Sequence, residues 1–323
     1  MQKTYNAAFI PNNYSELLSE LKEASFNWEI KFSSMTENKT IGHISHYALN
    51  DAMSRNNCLI LIPGLASNTR AEPLMKVVEY WALTNKYDIY CIDTFLGDFL
   101  PEMSQKLAQK HTFAEYINLI DAGLDVVEHY VRAKKYNYSC VVGHSAGATG
   151  AIEIFNKRIQ ENKRLRFSAA ILFAPYITKE YKEYIQNFYK MFSFGGKISE
   201  EEFKRSAIGL CSPHEPPINN KYQKVSILPT FFDEMESVKF RPDLMGKYAI
   251  PITLVAGGRD QKSPADKLYE KYNILRQGEN GNLWRCVVFK NSRHSFIESH
   301  KDYGAILHLI QSQKIRAKNG TWR

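Results

Sequence analysis

The sequence predicts an α/β protein built on a doubly wound, mostly parallel β-sheet, with a helical segment inserted late in the chain. Two observations carry this prediction. Short, unbroken apolar runs alternate with segments of helical periodicity, the order that places helices on both faces of a parallel sheet. The alternation then stops between Pro175 and Tyr248, a stretch that is rich in aromatic residues and shows no clear strand.

The start of the chain is polar, and we predict an N-terminal extension of residues 1–25 with a short helix over Tyr14–Ala24. Two β-like runs follow, Phe26–Phe32 and Ile41–Leu49. The segment Glu37–Lys39 between them is turn-like. Two such runs on either side of a turn predict an antiparallel hairpin.

The rest of the core alternates between buried strands and helices. The longest helical segment, His111–Lys135, starts with Thr112 and Glu115 at the spacing of a capping box. The predicted strands are Asn57–Gly64, Tyr87–Ile92, the run that ends at Val142, Ala169–Ala174, Ile250–Ala256 and Trp284–Phe289. The predicted helices are Leu74–Leu83, His111–Lys135, Ala146–Ile159, Ala265–Leu275 and Tyr303–Lys314.

The segment that interrupts this alternation is too long for an ordinary loop of a compact domain. We therefore predict a division of the chain into a core of residues 1–175 and 246–323 and a helical cap of residues 176–245. The alternative is a set of additional core helices that take no part in binding.

Composition and charge limit the classes of partner that the protein can bind. The 323 residues are 44% hydrophobic and 24% charged, which is typical of an ordered protein with a large core. The net charge of +8 is scattered without a nucleic-acid-binding motif, so we expect no nucleic acid. We read it mainly as solvated helix faces, with weak attraction to an acidic carrier protein or an anionic membrane surface as the alternative.

Cysteine usage and hydropathy predict a cytoplasmic protein. There are five cysteines, an odd number, and Cys58, Cys91, Cys140 and Cys286 lie in or beside β-like runs, as buried free thiols do. The start lacks a continuous apolar segment, and no stretch has the length and hydropathy of a membrane span.

One apolar run ends in the pentapeptide Gly143–Gly147, and a helix-compatible segment follows it. Gly-x-Ser-x-Gly between a strand and a helix is the pattern of a nucleophile elbow, although so short a motif also occurs by chance. In that geometry Ser145 supplies the nucleophilic hydroxyl and the backbone N–H of Ala146 faces a developing oxyanion. We expect His144 to pack beside the site.

A serine hydroxyl is a poor nucleophile without a base, and the base needs an acid that orients it. Asp260 follows a buried strand and the turn Gly257–Arg259, and is the candidate acid. His294 follows the last strand and is the candidate base. Alternatively, Asp260 is an ordinary turn or N-cap aspartate, and His294 is a solvated histidine of a loop.

An oxyanion hole needs a second donor. The turn Pro63-Gly64 after the first buried strand places the backbone N–H of Leu65 in a position to pair with that of Ala146. A simple Pro-Gly turn is the alternative.

Four motifs in this order resemble the α/β-hydrolase superfamily over residues 26–175 and 246–315. They are Pro63-Gly64-Leu65, Gly143-His144-Ser145-Ala146-Gly147, Gly258-Arg259-Asp260 and Arg293-His294-Ser295. Pro63 stands where the family often has a histidine. Because the oxyanion donor there is a backbone group, we expect little effect on activity. Asp93 stands where relatives often have a structural aspartate, and we give it no catalytic role.

The resemblance implies two-step acyl transfer on an ester or thioester through Ser145, His294 and Asp260, without a metal ion or organic cofactor. It also implies a cap that shapes the acyl pocket, with Tyr176, Phe188 and Phe192 as candidate substrate-binding residues. The first hypothesis is a serine hydrolase for an ester of an apolar acyl group. The alternatives are a thioesterase or acyltransferase for carrier- or CoA-bound acyl chains, and a non-catalytic ligand-binding protein.

Overall fold

A central β-sheet and the helices that pack against it form most of the described part of the chain. The computed structural model describes residues 21–29, 40–49, 56–64, 87–94, 112–177, 237–294 and 300–320, with the single positions 74, 75, 78, 81, 82, 85, 234, 235 and 296. The strands are β1 (Leu21–Glu29), β2 (Thr40–Leu49), β3 (Asn57–Ile62), β4 (Asp88–Thr94), β5 (Tyr138–His144), β6 (Ala169–Phe173), β7 (Ile252–Gly257) and β8 (Trp284–Phe289). The helices are α1 (Phe113–Ala133), α2 (Ala146–Gln160), α3 (Pro242–Met245), α4 (Ala265–Arg276) and α5 (His300–Gly320).

The sheet has eight strands in the order β1-β2-β4-β3-β5-β6-β7-β8. The strands from β3 to β8 are parallel to one another. β1 and β2 form an antiparallel hairpin that joins the sheet through β4. The prediction of a doubly wound, mostly parallel sheet that begins with a hairpin is therefore confirmed.

Each central strand is buried on both faces because alternate side chains enter two separate cores. In β3, Cys58, Ile60 and Ile62 face a core that α1, α2 and α4 cover. Leu59 and Leu61 face the opposite core, which α5 and the helical residues near position 78 cover. This two-sided burial explains why the strands appear in the sequence as unbroken apolar runs.

The N-terminal part of the sheet differs from the sequence prediction. β1 begins at Leu21, so the end of the predicted helix Tyr14–Ala24 is strand, and the strand starts before Phe26. Leu21 pairs with Leu49, and the antiparallel pairing continues along the full length of β1. Backbone pairing with a neighbouring strand overrides the modest helical propensity of this short sequence. Residues 14–20 and the Glu37–Lys39 turn lie outside the described residues.

The helix signals in the sequence correspond closely to the structure. The Thr112 hydroxyl accepts a hydrogen bond from the Glu115 N–H, and the Glu115 carboxylate accepts one from the Thr112 N–H, so α1 begins with the predicted capping box. α5 is longer than the predicted Tyr303–Lys314 at both ends. Within the described residues, no helix has the length and hydropathy needed to cross a lipid bilayer.

Most of the predicted cap, including Phe188 and Phe192, lies outside the described residues. At its beginning, Tyr176 is 7% exposed and belongs to the core covered by α1 and α2. At its end, residues 237–245 include the short helix α3 and lead into β7. The cap and the domain boundaries of residues 176–245 therefore stay predictions.

A buried arginine joins α1 to α2. Arg158 is 4% exposed, and its guanidinium donates to Asp121 and Asp125 at 2.9 Å each and to the buried Glu128. Three carboxylates of α1 thus converge on one cation of α2. Because Glu128 is itself 5% exposed, its charge depends on this contact in place of water.

We expect Arg158→Met to lower the free energy of unfolding by about 3–5 kcal/mol, since it leaves the Glu128 carboxylate buried without its closest cationic partner and with only Arg166 at 4.0 Å. Urea denaturation measures this loss. The matched control is Arg241→Met, which removes an exposed pair with Asp243 and should leave the unfolding midpoint almost unchanged. Equal midpoints for the two variants would contradict the prediction.

Candidate active site

Ser145 occupies a strained turn between β5 and α2. Its φ of 51° and ψ of −118° are unusual for a residue with a side chain. The Ser145 N–H donates to the Phe173 carbonyl at the end of β6, at 2.9 Å. Such a conformation costs on the order of 1–3 kcal/mol and persists where the surrounding structure fixes it. The structure thus has the strand–turn–helix geometry expected around the pentapeptide.

The glycine after Ser145 permits a very close contact between α2 and β3. A Cβ atom on Gly147 would lie 2.4 Å from the Pro63 carbonyl oxygen and 2.5 Å from that of Ile62. Only a residue without a side chain fits there. The first turn of α2 therefore lies directly against the end of β3.

Asp260 lies in the turn after β7 and is almost completely buried, with 5% exposure. Its Oδ1 accepts hydrogen bonds from the backbone N–H groups of Lys262, at 2.8 Å, and Ser263, at 3.1 Å. Its Oδ2 lies 2.8 Å from Nδ1 of His294. One oxygen of the carboxylate is thus held by its own loop, and the other is directed at the imidazole.

The imidazole of His294 connects the carboxylate to the serine. Its Nδ1 lies 2.8 Å from Asp260 Oδ2, and its Nε2 lies 2.8 Å from Ser145 Oγ. An ionised carboxylate only accepts hydrogen bonds, so Nδ1 carries the proton. The Nε2 lone pair is then available to accept the Ser145 hydroxyl proton. The structure brings the three predicted residues together, although they are far apart in the sequence.

The electrostatics of the pair suit a neutral base beside a charged acid. Burial lowers the pKa of His294, and this effect outweighs the opposing attraction and hydrogen bond of Asp260. Burial raises the pKa of Asp260. The charge of His294 and the hydrogen bonds from His294, Ser263 and Lys262 lower it by more, so the pKa of Asp260 lies below its usual value. Near neutral pH, Asp260 is therefore ionised and His294 is neutral.

Of the two predicted oxyanion donors, the structure describes one. Ala146 is the first residue of α2 and is 2% exposed. The first N–H groups of a helix have no partner within that helix and form a positive terminus. Leu65 lies outside the described residues. The contact of Gly147 with Ile62 and Pro63 places the chain two residues before Leu65 against the first turn of α2.

Two hydroxyl groups that the sequence analysis did not identify fix the chain beside the triad. Thr149 Oγ1 donates to the Ser145 carbonyl at 3.0 Å and accepts the Tyr176 N–H at 2.6 Å. Ser263 Oγ donates to the Pro175 carbonyl at 3.0 Å. The spacing of four residues between Ser145, directly before α2, and Thr149 in its first turn was a usable signal, since such residues are neighbours.

No metal site is evident among the residues that the structure describes, where no three His, Cys, Asp or Glu side chains cluster suitably. Asp93 lies in β4 opposite His43 of β2. Cys58, Cys91 and Cys140 are buried in the strands, as expected, and Cys286 is partly buried.

We expect Gly147→Ala to lower the free energy of unfolding by about 1–3 kcal/mol, because the added methyl group overlaps the backbone of β3. Thermal unfolding monitored by circular dichroism measures the effect. Gly304→Ala in α5 is the matched control: a Cβ there meets no atom within 4 Å, so alanine should be neutral or stabilising. A Gly147→Ala protein as stable as the wild type would be the contrary result.

Solved structures of esterases have the same arrangement of strands and helices. The Pyrococcus furiosus esterase Pf2001 is 15% identical with a TM-score of 0.58, over 93% of this chain and 92% of that chain. An esterase from Rhizomucor miehei is 14% identical with a TM-score of 0.58, over 98% and 92% of the two chains. Est1E from Butyrivibrio proteoclasticus is 15% identical with a TM-score of 0.54, over 90% and 99%.

A scan against protein-family models and a search of curated proteins found no match. Identities this low leave the likeness at the level of the fold. The parallel sheet, the helices on both its faces and the neighbours among solved structures nevertheless agree with one another. The chain has the α/β-hydrolase fold.

Proposed function

We propose that this protein is a serine hydrolase that cleaves a carboxylic ester of an apolar acyl group through an acyl-enzyme on Ser145. The observation that carries the proposal is the continuous hydrogen-bonded chain from Ser145 Oγ through His294 to Asp260, with both contacts at 2.8 Å. A ligand-binding protein has no need of a base held at this distance from a strained serine.

In the first half of the reaction, the Ser145 hydroxyl attacks the substrate carbonyl while His294 Nε2 takes its proton. The negative charge of Asp260 stabilises the imidazolium that forms. His294 then returns the proton to the leaving alcohol, and the acyl group stays on Ser145. In the second half, water attacks the acyl-enzyme carbonyl while His294 Nε2 takes its proton. The bond from the acyl group to Ser145 Oγ then breaks, His294 returns the proton to Ser145, and the acid is released.

The oxyanion of each tetrahedral intermediate needs donors that are already in place. The Ala146 N–H at the start of α2 supplies one, and we assign the other to the Leu65 N–H. A single donor of this kind is typically worth about 3 kcal/mol in the transition state. The positive end of the α2 helix dipole acts in the same direction.

The comparison structures that are named as esterases support an ester as the substrate. Hydrolysis of a thioester and acyl transfer from a carrier or CoA use the same steps and differ in the leaving group or the acceptor. We assign acyl-group selection to the aromatic residues of the predicted cap, with Tyr176, Phe188 and Phe192 as the candidates. We also place the protein in the cytoplasm, and it needs no metal ion or organic cofactor for this chemistry.

We expect Ser145→Ala to abolish hydrolysis of a short p-nitrophenyl ester and covalent labelling by a fluorophosphonate probe. The variant removes the only atom that forms the acyl-enzyme, so the residual rate should fall to the background. Mass spectrometry of the labelled wild type locates the modified residue. Ser312→Ala in α5 is the matched control and should keep full labelling. Labelling that persists in Ser145→Ala would contradict the assignment.

A chain-length panel of esters and matched thioesters, assayed with and without an alcohol acceptor, identifies the substrate class. We expect the highest kcat/KM for esters and no dependence on the acceptor. A preference for carrier-bound thioesters that weakens strongly with salt would instead favour an acidic carrier as partner.

The pH dependence follows from the charge of His294. The residue acts as a base only when neutral, and its pKa lies below the usual 6.5. We therefore expect kcat/KM to be constant near neutrality and to fall with decreasing pH through an apparent pKa below 6.5. Lys262 lowers the pKa of His294 by its charge, so Lys262→Met should move this acid limb to higher pH. An acid limb above 6.5 in the wild type would contradict the assignment.

A further inference from the structure

His144, the residue immediately before the nucleophile, makes a direct contact with the main chain of the base. It is the last residue of β5 and is 6% exposed. Its Nε2 lies 2.8 Å from the main-chain carbonyl oxygen of His294. The two imidazole rings are 5.1 Å apart between centroids, and the His144 ring also meets Phe296 edge-on at 6.2 Å.

The chemistry of this contact fixes the role of one ring nitrogen. A carbonyl oxygen only accepts hydrogen bonds, so Nε2 of His144 carries the hydrogen and donates it. The contact therefore does not require a charged imidazole. A hydrogen bond of this length in a buried position holds its acceptor more firmly than contact with water does.

The loop that carries His294 is also attached through the turn that carries the acid. The Arg259 N–H donates to the Ser292 carbonyl at 2.9 Å. A Cβ atom on Gly257 would lie 2.5 Å from the Arg293 carbonyl oxygen, so the two turns touch directly. These contacts place the base relative to Asp260. The bond from His144 places it relative to the strand that ends at the nucleophile.

We infer that His144 is a positioning residue that acts through the main-chain carbonyl of His294 and sets the distance between His294 Nε2 and Ser145 Oγ. The inference rests on the proposed function of the triad. A misplacement of about 1 Å at a reacting atom can cost on the order of 100-fold in rate. A side chain that only fills space beside Phe296 would not need a donor at this position.

The experiment compares two substitutions that differ in hydrogen bonding. The amide of glutamine in His144→Gln can place an N–H close to the position of Nε2, whereas His144→Leu has similar bulk and no donor. With a short p-nitrophenyl ester, we expect His144→Leu to lose about 10- to 100-fold in kcat with little change in KM. His144→Gln should stay within about threefold of the wild-type kcat, because it keeps the donor.

Controls separate the possible outcomes. His308→Leu, on the exposed face of α5, should behave as the wild type. Thermal unfolding establishes that each variant folds, and His144→Asn, whose amide is too short to reach the carbonyl, replaces His144→Leu if that variant does not fold. Wild-type kcat in the donor-less variant, or an equal loss in His144→Gln, would overturn the inference. A wild type that neither hydrolyses the ester nor labels with fluorophosphonate would overturn the proposed function instead.

Discussion

The backbone of Ser145 is the constraint on which the rest of the site depends. A residue with a side chain holds a positive φ there because both of its neighbours are fixed, His144 at the end of a fully buried strand and Ala146 at the start of a helix. The N–H bond to the Phe173 carbonyl secures the turn from the adjacent strand. The large two-sided core of the sheet thus stabilises a local conformation that is unfavourable by itself, and the conformation exposes the hydroxyl at the edge of the sheet.

Parallel strands explain why three distant residues meet. The carboxyl ends of β5, β7 and β8 lie on the same edge of the sheet, and each is followed by the loop that carries one member of the triad. Adjacent loops then contact one another through backbone atoms, without the need for long side chains. The geometry of Ser145, Asp260 and His294 is consequently a property of strand order as much as of local sequence.

The sequence was sufficient for those features that depend on local pattern. Unbroken apolar runs indicate buried parallel strands, and the Thr112/Glu115 spacing marks the start of α1. By contrast, the start of β1 at Leu21 could not be predicted from the sequence. Pairing with β2 decides the conformation of these residues, whereas their local propensity favours a helix. The roles of Thr149 and Ser263 depend on which loop lies opposite them, information that exists only in three dimensions. The contact of His144 with the His294 carbonyl is of the same kind.

The attachment of Pro175 and Tyr176 has a consequence for how such a protein can change over evolution. The residues that lead into the predicted cap are held by Thr149 on the nucleophile helix and by Ser263 beside the acid. Insertions, deletions or replacements farther along the segment therefore start from a fixed point and need not disturb the reacting groups. Under the proposed function, selection for a new substrate can act on this segment while Ser145, His294 and Asp260 are inherited unchanged.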